Sequence, residues 1–144
     1  TEAIVNPVNC VGVMGAGLAR QFSRRFPETL QPYKKACSDG VLYPGTVHVH
    51  DRGDLNGRRK HQRYILHFPT KKHWRDPSEL EWIRTGLLAM LEAMSEYGIT
   101  SITIPALGVG LGGLNWQDVY DLMRTQFKRI HGSRFNICKP QDHR

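Results

Sequence analysis

The sequence predicts an α/β domain with a largely parallel or mixed sheet, because short apolar runs alternate with amphipathic segments of helical period. A chain of 144 residues fits one domain and can bury one sizeable core. We therefore expect a single domain over residues 1–138 and a polar tail at 139–144. The predicted strands, rich in β-branched and aromatic residues, lie at 3–5, 46–49, 64–68, 99–104 and 135–138.

The first helix is expected to begin near Gly15. Leu18, Ala19 and Phe22 follow at helical spacing. Pro27 ends the helix, since proline lacks a backbone N–H and clashes with the preceding turn. After the second strand, residues 51–63 are polar and contain glycine, so we interpret them as an exposed hairpin or loop.

A long helix is predicted over residues 79–97. Asp76 would cap it, Pro77 would take its first position and Glu79 would complete a capping box. Gly98 is a natural end point. The expected buried stripe consists of Leu80, Ile83, Leu87, Met90, Leu91 and Met94.

The last helix follows Asn115, which serves as its cap with Asp118 three residues on. Its apolar positions recur at helical spacing, which predicts one buried face. These positions are Val119, Leu122, Met123, Gln126 or Phe127, and Ile130.

The composition is that of an ordinary soluble protein, with 40% hydrophobic and 23% charged residues. No apolar run is long enough to cross a bilayer and no secretory signal pattern is present, so we expect a cytoplasmic protein without membrane contact. The net charge of +7 favours a polyanionic partner, although many basic proteins bind no nucleic acid.

Cysteine and histidine residues give no sign of a metal site. Cys10, Cys37 and Cys138 are scattered, so we expect three reduced, buried thiols. No carboxylate pair or histidine–cysteine cluster has ligand spacing, and we predict no metal and no cofactor. His48, His50 and His67 alternate with apolar residues and are expected on sheet faces.

Two glycine-rich segments each follow a predicted strand and precede a helix. The first spans residues 6–17 and the second spans 108–113. Such turns let the backbone approach a ligand closely, and a helix start favours an anion such as pyrophosphate. Neither matches a Walker A or dinucleotide fingerprint, and a tight turn is the alternative for each. Asn6 and Asn9 could either bond locally or bind ribose hydroxyls.

A basic segment, HFPTKKHWRDPS at residues 67–78, leaves the third strand. It could form a nucleic-acid surface, an ordinary solvated loop, or a place where one lysine performs chemistry. Trp74 could stack on an unpaired base or pack in the core.

Taken together, three stretches resemble a known family. IVNPVNCVGVMGAGLA, HFPTKKHWR and IPALGVGLGGLNW are similar in kind and order to the macrodomains, α/β/α modules that bind ADP-ribose. The resemblance is closest to the DarG-type branch, bacterial antitoxins that remove ADP-ribose placed on DNA by DarT-type toxins. It implies a three-layer fold with a mixed central sheet.

The resemblance also implies a ligand site. Asn9 matches the asparagine at the distal ribose, and Lys71 matches the catalytic lysine, with Thr70 beside it. Lysine at an anomeric carbon can act as a nucleophile through a Schiff base or stabilise the departing base electrostatically, and both routes stay open. The other implied ADP-ribose contacts are Pro7, Val8, Met14, Gly15, Ala16, Gly17, Leu18, Gly108, Val109, Gly110, Leu111 and Gly112.

Three departures from the family pattern stand out. A related branch pairs its lysine with an aspartate where this chain has Gly112, which favours the DarG-type route. Val109 replaces a frequent cysteine. The family's first strands and their adenine-binding aspartate would precede Thr1, so we expect the domain to be incomplete at its N-terminus and leave the adenine contact unassigned.

The expected function is that of an ADP-ribosyl glycohydrolase acting on a modified base in single-stranded DNA, with a DarT-like toxin as a further partner. A non-catalytic ADP-ribose-binding module and a hydrolase of protein-linked ADP-ribose are the alternatives. We expect a monomer. The expected contacts to the DNA are Lys72, His73, Trp74, Arg75, Arg58 and Arg59, and a solvated surface is the alternative for each.

Overall fold

The computed structural model describes residues 1–54, 57 and 61–140 and contains a five-stranded sheet with strand order β2-β3-β1-β4-β5. The strands are β1 (Ala3–Val8), β2 (His48–Asp51), β3 (Tyr64–Pro69), β4 (Ser101–Ile104) and β5 (Arg134–Ile137). The helices are α1 (Gly17–Arg25), α2 (Leu30–Ser38), α3 (Leu80–Tyr97) and α4 (Trp116–Phe127). Short 3-10 turns precede α2 at Pro27–Thr29 and α4 at Gly110–Gly112.

The sheet is mixed, as predicted. β1 pairs in parallel with β3 and β4, and β4 pairs in parallel with β5. Only the pairing of β2 with β3 is antiparallel among the described strands. The predicted hairpin at residues 51–63 is confirmed where the structure describes it, because an ion pair from Arg63 to Asp51 (2.8 Å) closes its base.

Helices cover both faces of the sheet, so helices and sheet together form three layers. Alternate residues of β1 and β3 face α3 and α4, where Val5, Leu66 and Phe68 join the largest core. The intervening residues face α1 and α2, where Ile65 packs on Phe22. The expected three-layer α/β/α arrangement is therefore observed.

Helix α2 was not predicted. Its apolar residues Leu30, Tyr33 and Ala36 have helical spacing, but Pro32 obscures the pattern. Proline is tolerated here because it lies in the first turn, where the backbone N–H needs no partner within the helix.

The predicted start of α3 is wrong. The helix begins at Leu80 with Glu79 as its cap, and no side chain caps it. Ser78, which precedes the cap residue, is buried and donates its backbone N–H to Gly112 O (2.9 Å). This tertiary contact replaces the expected capping box. Leu80 is exposed rather than buried.

The other predicted helix ends are confirmed. Gly98 ends α3 in the left-handed conformation (φ 68°), and Asn115 Oδ1 accepts a hydrogen bond from Asp118 N (3.2 Å) at the start of α4. Helix α4 stops at Phe127, so Ile130 lies beyond the predicted stripe. No helix in the described part of the chain is long and apolar enough to span a bilayer.

The cysteine prediction is only partly right. All three cysteines are free thiols, but Cys138 is exposed and the other two are half-buried. Within the described ranges, no group of three or more His, Cys, Asp and Glu side chains is placed to hold a metal ion. The prediction that the protein uses no metal or cofactor stays a prediction.

His67 is completely buried between the sheet and α2. Its ring stacks on His48 at 5.7 Å between centroids and lies 5.4 Å from the Tyr33 ring. Burial, and to a smaller extent the neighbouring histidines, lowers the pKa of His67 to about 3. The folded protein therefore holds a neutral imidazole where the unfolded chain holds one that protonates near pH 6.5.

We predict that His67 makes the fold acid-sensitive. Since its pKa is lower in the folded state, the stability that it contributes is complete above pH 6.5 and is lost as the pH falls towards 3. Replacing His67 with Phe should reduce the loss of unfolding free energy by about 1.4 kcal/mol per pH unit below pH 6. Urea unfolding between pH 7.5 and 4.5 measures this, with the exposed His131→Asn as control. Equal slopes for wild type and His67→Phe would contradict the assignment.

Candidate active site

Three loops meet at one edge of the sheet, because β1, β3 and β4 are parallel and their carboxyl ends lie on the same side. They span residues 9–16, 70–79 and 105–115. This is where open α/β sheets bind their ligands. The two glycine segments and the basic segment, separated along the chain, are thus neighbours.

Pro7 lies where β1 and β4 separate. Val8 O accepts from Thr70 N (2.9 Å) on the β3 side, so by strand alternation Pro7 directs its backbone toward β4. Pairing of β1 with β4 ends at Ile4, before Pro7. A proline is therefore accommodated in the central strand without breaking a ladder bond, and the sheet opens between the two glycine loops.

The first glycine loop is organised by Asn9. Its Nδ2 donates to Val13 O (2.8 Å), and its Oδ1 accepts from Val11 N (3.1 Å). Asn9 is 8% exposed, and most of its side chain is used in these local hydrogen bonds, which is one of the two alternatives that the sequence left open. Met14 is also buried, with its sulfur 3.9 Å from Asn6 Nδ2. The loop is held from inside.

The end of this loop leaves backbone donors exposed. Gly15, Ala16 and Gly17 are exposed, and the cap residue Ala16 has no side-chain hydrogen bond to the first turn of α1. The first turn contains no acidic residue. Unpaired N–H groups at a helix start attract anions, so this segment can receive a phosphate.

Lys71 reaches the second glycine loop. Its Nζ donates to Leu111 O (3.1 Å) and to Trp74 O (3.3 Å). In the part of the chain that the structure describes, no carboxylate lies within ion-pair distance of this ammonium. An ammonium has three N–H donors, so one remains for a ligand.

Leu111, in the second glycine loop, lies beside the end of the first. It is 75% exposed, and its Cδ1 lies 3.8 Å from the position that a Cβ on Gly17 would occupy. Its carbonyl accepts from Lys71 while its side chain lies beside the start of α1. Lys71, Gly17 and Leu111 therefore border the same opening.

Gly112 has no room for a side chain. A Cβ there would lie 3.0 Å from Ser78 Cβ and closer still to Ser78 Oγ. The same two residues are joined by the hydrogen bond from Ser78 N to Gly112 O. With Ser78 packed in this way, position 112 has no space for a larger side chain.

Cys10 is an alternative nucleophile beside the basic segment, but it is a poor one. Its backbone N–H donates to Lys72 O (3.0 Å), which ties it to the basic segment. Burial, with a smaller contribution from Cys37, raises the pKa of the Cys10 thiol to about 11. The protonated thiol is not the nucleophilic form.

The side chains of the basic segment have different neighbours. Lys72 Nζ lies over the Trp82 ring at 5.6 Å from its centroid. Trp74 is 53% exposed, which excludes core packing, and forms a ring contact with His73 (5.1 Å). The Arg75 guanidinium lies 5.1 Å from the centroid of the Trp74 ring.

Most of the predicted ligand residues come together at this edge. Thr70 is buried beside Lys71, and Gly108, Val109 and Gly110 lie in the second loop between β4 and α4. Val8 faces α1 and α2 beneath the first loop, and Leu18, on α1, packs against the cluster that contains Phe22 and Ile65. Arg58 and Arg59 lie outside the described residues.

Sequence reasoning missed Tyr33 and Ser78. Tyr33 belongs to the unpredicted helix α2, and its hydroxyl donates to Asn9. Ser78 was interpreted as part of a capping box. Helical spacing at Leu30, Tyr33 and Ala36 could have revealed α2, whereas no local signal could have revealed the packing of Ser78 on Gly112.

Comparison with known proteins agrees with this geometry. The model of the Macro domain family matches residues 5–123. The chain belongs to the Macro domain family. The macrodomain of Mycobacterium tuberculosis DarG has 45% identity and a TM-score of 0.92, covering 98% of this chain and 90% of that one.

Two longer proteins are also similar to this chain. A Mycobacterium tuberculosis protein named DNA ADP-ribosyl glycohydrolase is 48% identical over 130 residues, which is 90% of this chain and 36% of the relative. The Thermosipho africanus DarTG structure in complex with ADP-ribose has 35% identity and a TM-score of 0.88, covering 99% of this chain and 39% of that one. The chain thus spans a little over a third of the length of these longer proteins.

We predict that Gly112→Ala destabilises the domain by about 1–3 kcal/mol, because the added methyl must displace Ser78. The double variant Ser78→Gly/Gly112→Ala should recover most of this loss, since it removes the atoms that clash. Urea unfolding of wild type, both single variants and the double variant measures the coupling. Additive effects of the two substitutions would show that this contact does not restrict position 112.

Proposed function

We propose that this macrodomain is an ADP-ribosyl glycohydrolase that removes ADP-ribose from a modified base in single-stranded DNA. The observation that carries the proposal is the hydrogen bond from Lys71 Nζ to Leu111 O, which holds the lysine at the second glycine loop. The relative named DNA ADP-ribosyl glycohydrolase, at 48% identity, supports DNA as the substrate class.

In the proposed complex, the diphosphate lies between the start of α1 and the second glycine loop. The free N–H groups at residues 15–17 would receive a phosphate, and the backbone of residues 108–112 would surround the distal ribose. Asn9 would bind a ribose hydroxyl from the first loop. This arrangement brings the anomeric carbon of the distal ribose near Lys71.

Hydrolysis breaks the bond between the anomeric carbon and a nitrogen of the base, and water supplies the new hydroxyl and the proton. Lys71 acts in one of two ways. As a deprotonated amine it displaces the base from the anomeric carbon, the base nitrogen takes up a proton, and water then hydrolyses the sugar–lysine adduct and restores the amine. As an ammonium it stabilises the charge of the departing base with its remaining N–H, and water attacks the sugar directly. Burial raises the pKa of the Cys10 thiol, which makes it a poor nucleophile, and the Lys71 ammonium is the group that bonds the second glycine loop.

The modified base would stack on Trp74. The Trp74 indole is exposed. The backbone carbonyl of Trp74 accepts a hydrogen bond from Lys71 Nζ (3.3 Å), which fixes the position of the lysine relative to the aromatic residue. His73 and Arg75 flank the ring and can contact the DNA phosphates. Lys72 is further from this role, because it lies over Trp82.

The substrate implies a partner that makes it. A DarT-like enzyme that attaches ADP-ribose to DNA is that partner, supported by the relative named as a fusion of DNA ADP-ribosyl transferase and DNA ADP-ribosyl glycohydrolase, 39% identical over 133 residues. A monomeric domain in the cytoplasm remains our expectation.

We predict that Lys71→Ala lowers the release of ADP-ribose from an ADP-ribosylated oligonucleotide at least a hundredfold, because the group acting at the anomeric carbon is removed. Lys128→Ala, which removes one positive charge at the end of α4, is the matched control and should retain activity. Chromatography of released ADP-ribose measures both. Equal rates for wild type and Lys71→Ala would disprove the lysine assignment, and ADP-ribose binding without turnover of any linked substrate would favour a binding module.

We predict that Trp74→Ala weakens binding of ADP-ribosylated single-stranded DNA by about 1–3 kcal/mol while free ADP-ribose binds as before, because only the base uses the indole. Arg75→Ala should reduce the dependence of DNA affinity on salt by about one phosphate contact. Fluorescence anisotropy at several salt concentrations measures both effects. Equal losses for free ADP-ribose and DNA would place Trp74 in the sugar site, and salt-independent turnover would favour a protein-linked substrate.

A further inference from the structure

Tyr33 makes an unusual contact with the first glycine loop. It is completely buried on α2, and its hydroxyl lies 2.7 Å from Asn9 Oδ1 and 2.8 Å from Asn9 O. The single phenol proton is therefore shared between two oxygens of Asn9, the residue that organises the loop. No sequence pattern linked these two residues, which are 24 positions apart.

The hydrogen bonds around Asn9 allow only one orientation of its amide. Oδ1 faces three donors: the Tyr33 hydroxyl at 2.7 Å, Val11 N at 3.1 Å and Val13 N at 3.4 Å. Nδ2 faces an acceptor, Val13 O at 2.8 Å. Rotating the amide by 180° would place N–H groups against two backbone N–H donors and its oxygen against a carbonyl.

One donor remains on this side chain. A primary amide has two N–H groups, and Val13 O takes one. The amide oxygen is surrounded by donors from the protein and has no capacity left for a ligand. Asn9 can thus donate a hydrogen bond to a bound molecule but cannot accept one from it.

We propose that Tyr33 is a positioning residue that, together with the backbone of Val11 and Val13, holds the Asn9 amide in this orientation, so that Asn9 offers the ligand one N–H. The inference rests on the proposed function, in which that ligand is ADP-ribose. The group that faces Asn9 is then an oxygen acting as acceptor, such as a ribose hydroxyl oxygen, and the hydrogen of that hydroxyl must bond elsewhere.

Two properties of Tyr33 suit this role. Burial raises the pKa of its phenol above its ordinary value, so the hydroxyl keeps its proton and remains a donor at physiological pH. The ring is packed against His67 (5.4 Å between centroids) in the interior, which limits its rotation. A ligand site formed by a loop gains a fixed donor because its support comes from the core.

The test is a double-mutant cycle on ADP-ribose affinity, measured by calorimetry with wild type, Tyr33→Phe, Asn9→Ala and the double variant. If Tyr33 acts through Asn9, Tyr33→Phe weakens binding about five- to tenfold in the wild-type background and less than about twofold when Asn9 is Ala. Tyr43→Phe, an exposed tyrosine, is the matched control and should bind normally. All measurements are made well below the thermal midpoint of each variant.

A second variant tests the donor separately. Asn9→Asp keeps an acceptor for Tyr33, Val11 and Val13 but has no N–H, so it should lose as much affinity as Asn9→Ala. Retained affinity in Asn9→Asp would overturn the donor assignment. This comparison stands even if Tyr33→Phe does not fold.

The outcomes separate this inference from the proposed function. Equal weakening by Tyr33→Phe in both backgrounds, or no weakening in either, overturns the positioning role while ADP-ribose binding by the wild type upholds the ligand site. A wild type that does not bind ADP-ribose overturns both.

Discussion

The parallel pairing of β1 with β3 is the constraint on which the site depends. It continues beyond the strands, because Thr70 N donates to Val8 O and Cys10 N donates to Lys72 O. Lys71 therefore lies between Thr70 and Lys72, whose backbones are hydrogen-bonded to the end of β1 and to the first glycine loop. From that position its Nζ reaches the second glycine loop at Leu111 O (3.1 Å). A backbone register at the centre of the sheet thus decides where a side chain at its edge can act.

Each glycine loop is supported from the interior rather than by its own residues alone. The first is held by Asn9, which in turn bonds Tyr33 on α2. The second is held by Ser78, which packs on Gly112 and donates to its carbonyl. The supports come from opposite sides of the sheet, since α2 and α3 cover different faces. Exposed glycine-rich loops can form a site of fixed geometry when buried groups hold their backbones in place.

Much of the fold was predictable because strands and helices produce strong local patterns. All five predicted strands are present, and the helices at α1, α3 and α4 were expected within a few residues. Helix α2 was missed because Pro32 obscures a stripe of apolar residues, and the start of α3 was misplaced because Ser78 bonds a distant loop. Capping rules describe contacts within a helix, and they fail when a tertiary partner takes the same backbone group.

The sequence by itself determined the class of fold, the two glycine loops and the lysine that follows β3, because these depend on hydrophobic period and on a short motif. Only the tertiary structure decided that Lys71 bonds Leu111 O, that Trp74 is exposed beside it, and that the Tyr33 hydroxyl bonds Asn9. The physical reason is distance along the chain: Lys71 and Leu111 are 40 residues apart, and Tyr33 and Asn9 are 24 apart. Contacts between such residues arise from strand order and packing, which no local pattern encodes.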